Sequence, residues 1–94
     1  MVFNYTVTNP DGYAAYGRAA RPTLAGHGAE GVVVDYSSQA IEGDPGPVTV
    51  VLRFESKEAA LAWYESEEYQ SVIRLRTDNS EGVAVLCDGF VMPS

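Results

Sequence analysis

"VTVVLRF", residues 48–54, is the plainest β-strand in the chain: β-branched and aromatic residues run almost unbroken behind Gly43, Pro45, Gly46 and Pro47, which forbid regular structure. Alternate side chains of a strand point to opposite faces, so Val48, Val50, Leu52 and Phe54 share one side and Thr49, Val51 and Arg53 the other. A sheet with one face in water should alternate apolar with polar residues. Here both sides are largely apolar, and each needs a cover.

Outward from this strand the remaining elements follow. Phe3, Tyr5 and Val7 alternate through a first strand over residues 2–8, which Asn9-Pro10-Asp11 stops with an N-cap, a first-turn proline and an acid. The helix so started carries Tyr13, Tyr16, Ala20 and Leu24 on one stripe, with a kink at Pro22 and an end at Gly26 and Gly28. "GVVVDYS", residues 31–37, is a second strand, and residues 38–47 form a long connection or bulged hairpin. Ser56 caps a helix through Tyr64. Ser66, with Glu67 and Glu68 in the positive first turn, caps another to about Thr77. Asp78-Asn79-Ser80 turns the chain into a last strand, "GVAVLCDGFV".

The order is βαββαβ, and no linker or low-complexity tract divides it, so residues 1–94 are expected to form a single α+β, ferredoxin-like domain with a four-stranded antiparallel sheet. Right-handed crossovers put all the helices on one face. Val83, Val85 and Cys87 oppose Ala84, Leu86 and Phe90 in the last strand, again apolar on both sides. The simplest cover for the second face is another copy packed sheet to sheet about a twofold axis. A homodimer is expected.

Composition removes several function classes. Thirteen acidic residues against six basic give a net charge of −7, the reverse of what nucleic acid or an anionic membrane attracts. Cys87 stands alone, which excludes an internal disulfide and a cysteine metal motif, and a reducing cytoplasm suits it best. The N-terminus has no basic and apolar leader, and no stretch approaches the ~20 apolar residues of a membrane span. "GHGAEG", residues 26–31, has dinucleotide-loop spacing, but it follows a helix and precedes a strand, the reverse of what pyrophosphate binding requires. His27 in that loop reads as exposed. No metal, haem or nucleotide cofactor is expected.

"PDGYAAY", "IEGDPG", "LRFESKEAALAWYESEEYQ" with Arg76 after it, and "CDG" together resemble the small bacterial family called domain of unknown function 1330, of the dimeric α/β-barrel superfamily. The resemblance covers nearly the whole chain. It implies a ferredoxin-like protomer and a homodimer enclosing a cavity. At fold level the superfamily includes cofactor-free monooxygenases, lactone isomerases and haem-handling proteins. The stretch His27-Gly28-Ala29-Glu30 departs from the family pattern of a tyrosine and two glycines followed by a basic residue, which removes a basic contact there.

Candidate site residues come from the helices and strands that would frame such a cavity. Counted from Tyr69, Val72, Ile73 and Arg76 share an apolar stripe while Arg74 turns to solvent. A buried arginine must be paired. Arg76 either lays its stem over the core and bonds helix carbonyls or a carboxylate, or forks the carboxylate or enolate of a small ligand beside Tyr13 or Tyr16. Tyr5, Tyr13 and Tyr16 carry hydroxyls that need partners when buried, and a cavity ligand would supply them. Trp63 fills the core or stacks on a ligand. Asp88 and Glu42 are the acids placed to move a proton, and Arg53 is expected to pair with Asp35 across the sheet or to contact the ligand. Two functions stay open: a barrel binding a small, anionic organic molecule with cofactor-free isomerase or monooxygenase chemistry, and a ligand-sensing or assembly protein without turnover.

Overall fold

The structure, a computed structural model, describes residues 1–90. Four strands, β1 (Val2–Val7), β2 (Glu30–Asp35), β3 (Val48–Arg53) and β4 (Ser80–Val85), form one sheet in the order β2-β3-β1-β4. All neighbours are antiparallel. Five short helices connect them: α1 (Pro10–Tyr13), α2 (Tyr16–Ala20), α3 (Lys57–Tyr64), α4 (Glu67–Gln70) and α5 (Arg74–Thr77). This is the ferredoxin-like α+β arrangement expected of the strand and helix order.

Registration sorts the sheet into two faces. Phe3 and Tyr5 lie opposite Val50 and Val48, and this face meets Ala20, Trp63 and Tyr69 from the helices to form the core. Ser56 accepts the Ala59 amide at the start of α3, and Ser66 accepts the Tyr69 amide at the start of α4. Those two caps aim Trp63 and Tyr69 at the sheet, where both are fully buried.

Several boundaries differ from the sequence reading. The single helix expected up to Leu24 is broken into α1, α2 and a 3-10 turn (Arg21–Leu24), because Gly12 and Gly17 propagate a helix poorly and Pro22 lacks an amide donor. The helix expected from Ser66 to Thr77 divides at residues 71–73, where Val72, Leu75 and Arg76 each donate to the carbonyl three residues back. Side by side, Val72 and Ile73 disfavour a regular helix there. Strand β2 bulges between Gly31 and Val33 and ends where Ser37 donates to the Asp35 carboxylate. The last strand stops at Val85, paired with Val2 where β1 begins; residues 86–90 have no regular structure, and Val91, assigned to that strand from sequence, lies outside the described residues.

The other face of the sheet has no helix on it among the described residues. Val2, Val33, Val51, Val83 and Val85 share it, with Val83 62% and Val85 48% exposed. Near its centre Asn4 ties down the end of the 36–47 connection: its Nδ2 donates to the Gly46 and Val48 carbonyls and Thr49 Oγ1, and its Oδ1 accepts the Gly46 amide. A Cβ on Gly46 would overlap the Tyr5 backbone carbonyl, which cannot swing aside. No helix among the described residues is long and apolar enough to cross a membrane. Replacing Gly46 with Ala should therefore cost about 1–3 kcal/mol, read from the denaturant midpoint at unchanged slope.

Candidate functional site

Between the helix-covered face of β1 and β3 and the first helical segments lies a half-open cavity of about 110 Å³. That is several times the ~10–15 Å³ one water needs. Tyr13 ends α1 and Tyr16 begins α2, so three-residue spacing sets both rings on the same side, 5.6 Å apart between centroids. Tyr5 from β1 completes the polar wall, while Leu24, Val50 and Trp63 form part of an apolar one. Arg21 and Tyr36, both exposed, complete the margin. Among the described residues, no acidic one lines the cavity.

The phenols are joined in two pairs. Tyr5 and Tyr13 hydroxyls stand 2.6 Å apart, and those of Tyr16 and Tyr69 stand 2.7 Å apart. Burial pushes the Tyr5 phenol far above its ordinary range, and the Tyr13 bond adds to this. Burial likewise raises Tyr16 strongly, reinforced by Tyr69 and opposed by the Arg76 charge. Tyr13 is raised by burial and by neighbouring Tyr36, although the bond from Tyr5 works the other way. At neutral pH these groups are hydrogen-bond donors and acceptors, not phenolates.

Arg76 is buried, 7% exposed, as its place on the apolar stripe implied; Arg74 points outward and pairs with Asp78. Its guanidinium lies 5.0 Å from the Phe3 ring centroid and about 6 Å from those of Tyr5 and Tyr16. Nε donates to Tyr69 Oη at a long 3.4 Å. Among the described residues three ion pairs form, Arg53–Glu30, Lys57–Asp88 and Arg74–Asp78, and none includes Arg76. Aromatic faces and phenol oxygens thus take the place of the carboxylate or helix carbonyls expected for it. Burial works to lower the Arg76 pKa, but Tyr69 and Tyr16 outweigh it and hold the group above its ordinary value. The guanidinium is not in the cavity lining; it stands behind Phe3, Tyr5 and Tyr16, which are.

The structure gathers Tyr5, Tyr13, Tyr16 and Trp63 around one space and leaves the other candidates elsewhere. Trp63 contributes its ring and donates Nε1 to Thr23 Oγ1 at 2.9 Å. Arg53 pairs with Glu30, not Asp35, because antiparallel register sets Glu30 directly opposite it on the open face. Asp88 pairs with Lys57 at 3.3 Å and lines a separate cleft with Arg53, Cys87 and Phe90. Glu42 is exposed in the 36–47 connection and does not line the tyrosine cavity. Tyr69, Tyr36 and Arg21 were not singled out by sequence. Tyr69 could have been: it begins the stripe that Arg76 ends. No group of three or more metal-ligating side chains occurs among the described residues.

The chain matches the family described as domain of unknown function (DUF1330) over residues 1–90 and belongs to it. No match was found among curated proteins.

Because the folded state raises the Tyr5, Tyr13 and Tyr16 pKa values, the stability they contribute is complete below the ordinary tyrosine value of ~10 and is lost as pH rises from there toward the folded-state values. Thermal melts between about pH 8 and 11 should show Tm falling above pH ~10, with a shallower fall in Tyr5→Phe. An equal slope in that variant would show that Tyr5 does not drive the loss.

Proposed function

We propose that the protein is a homodimer joined through its open sheet faces, and that each protomer binds one small, negatively charged organic molecule in its tyrosine cavity. The observation that carries the binding half is a contrast of charge. The whole chain has thirteen acidic and six basic residues, yet among the described residues the lining has an arginine, four phenols and no acid. In that setting an anion meets donors and a nearby buried cation without repulsion, and apolar side chains hold its body. The dimer is supported by the open face, where exposed Val33 at one edge strand and Val83 and Val85 at the other flank Val51 and Val2, an apolar surface that a self-complementary partner would cover. An exposed lone Cys87 suits a reducing cytoplasm.

Binding without turnover is the reading we favour, because neither Asp88 nor Glu42 reaches the lining to take a proton. Cofactor-free isomerase or monooxygenase-type chemistry is the second reading, supported by the phenol donors, which could steady charge developing on a substrate oxygen.

Light scattering at micromolar concentration should report twice the 10.1 kDa chain mass, and Val83→Lys should return it to one chain with the helix content unchanged. A wild-type monomer would remove the dimer. Native mass spectrometry should show a retained small molecule that Gly17→Leu loses: Gly17 lines the cavity, and open space surrounds the position of its Cβ. Replacing a helical glycine should hold or slightly raise Tm, by up to about 1 kcal/mol of stability. Retention in Gly17→Leu would place the ligand elsewhere.

A further inference from the structure

Tyr69 is 0% exposed, so its hydroxyl proton cannot go to water. Its hydroxyl has two side-chain neighbours, Tyr16 Oη at 2.7 Å and Arg76 Nε at 3.4 Å, and a guanidinium accepts nothing. A buried donor is almost always satisfied. The Tyr69 proton is therefore given to Tyr16, and the Tyr16 proton is left without an acceptor among the described residues. Tyr16 lines the cavity, whereas Tyr69 and Arg76 do not. The order runs one way, from the Arg76 cation through Tyr69 to Tyr16 and into the cavity, and each bond polarises the next. Arg76 also lies about 6 Å from the Tyr16 ring centroid, drawing electron density from the phenol.

Resting on the proposed binding role of the cavity, we infer that Tyr16 is the donor that holds a single oxyanion, the phenolate or enolate oxygen of a small planar ligand, and that Tyr69 and Arg76 are positioning residues that sharpen it. A hydroxyl offers one hydrogen to one oxygen. A carboxylate favours the forked guanidinium; the buried fork of Arg76 is kept out of the lining behind Phe3, Tyr5 and Tyr16, and Arg21, the guanidinium that does line the cavity, is exposed at its margin. Leu24, Val50 and Trp63 supply apolar surface for a flat body.

The probe pair is 4-nitrophenol, whose ionised form is coloured, and nitrobenzene, which has the same flat body and no ionisable oxygen. Wild-type protein should bind both and lower the pKa of bound nitrophenol. Tyr16→Phe should weaken phenolate binding about tenfold or more while leaving nitrobenzene affinity nearly unchanged, with a lowered Tm because the buried Tyr69 hydroxyl loses its acceptor. Tyr69→Phe should lose part of the pKa shift. Arg76→Lys, which keeps the charge, should retain more of the shift than Arg76→Met, and this comparison decides the relay if Tyr69→Phe does not fold. If both probes bind and Tyr16→Phe keeps the full shift, the inference fails while the cavity's binding role stands. If Tyr16→Phe loses the shift but Arg76→Met keeps it, the relay is overturned. If neither probe binds, the binding role falls and the inference with it.

Discussion

A full positive charge lies inside this protein with no acid beside it among the described residues. An arginine taken out of water ordinarily loses several kcal/mol, of the order recovered only by a close carboxylate with good geometry. Arg76 meets instead the faces of Phe3, Tyr5 and Tyr16 and the oxygen of Tyr69. Each such contact is worth only about 0.5–2 kcal/mol, so the arrangement holds because several converge on the same group. That requirement fixes much else. Phe3 and Tyr5 must come from the central strand, Tyr16 from the start of α2 and Tyr69 from a capped α4, and the helices must stay close enough to the sheet for these rings to meet. The tyrosine cavity is what remains beside that cluster.

The outline of this arrangement was legible in the chain because it depends on local periodicity. Alternation located β1 and β3, Asn9-Pro10 and the serines at 56 and 66 marked three helix starts, and the wheel from Tyr69 turned Arg76 inward and Arg74 outward. What stayed illegible was set by distance along the chain. Tyr16 and Tyr69 are 53 residues apart, and only the packed helices bring their hydroxyls together. The partner of Arg53 turned on a register and a bulge in β2, which no composition of strand residues encodes. The β1–β4 ladder ends at the Val2–Val85 pair, so Asp88 lies beyond the strand, where it pairs with Lys57.

Strain between local preference and tertiary demand explains the fragmented helices. A continuous helix from Pro10 would carry its side chains round at regular angles. Across the break between α1 and α2, Tyr13 and Tyr16 keep the side-by-side placement of three-residue spacing, with tilted rings. The turn at residues 71–73 likewise reorients the chain between Tyr69 and Arg76, which then meet across it. Gly12 and Gly17 in the helices flanking the first break, and Val72 and Ile73 at the second, make interruption cheap.

Strand β1 presents Phe3 and Tyr5 to the cavity and Val2 and Asn4 to the uncovered face. Two surfaces are thus separated by the thickness of one polypeptide, and parity of position decides which of them a substitution touches. Odd-numbered changes here alter the wall of the cavity, and even-numbered ones alter the bare side of the sheet.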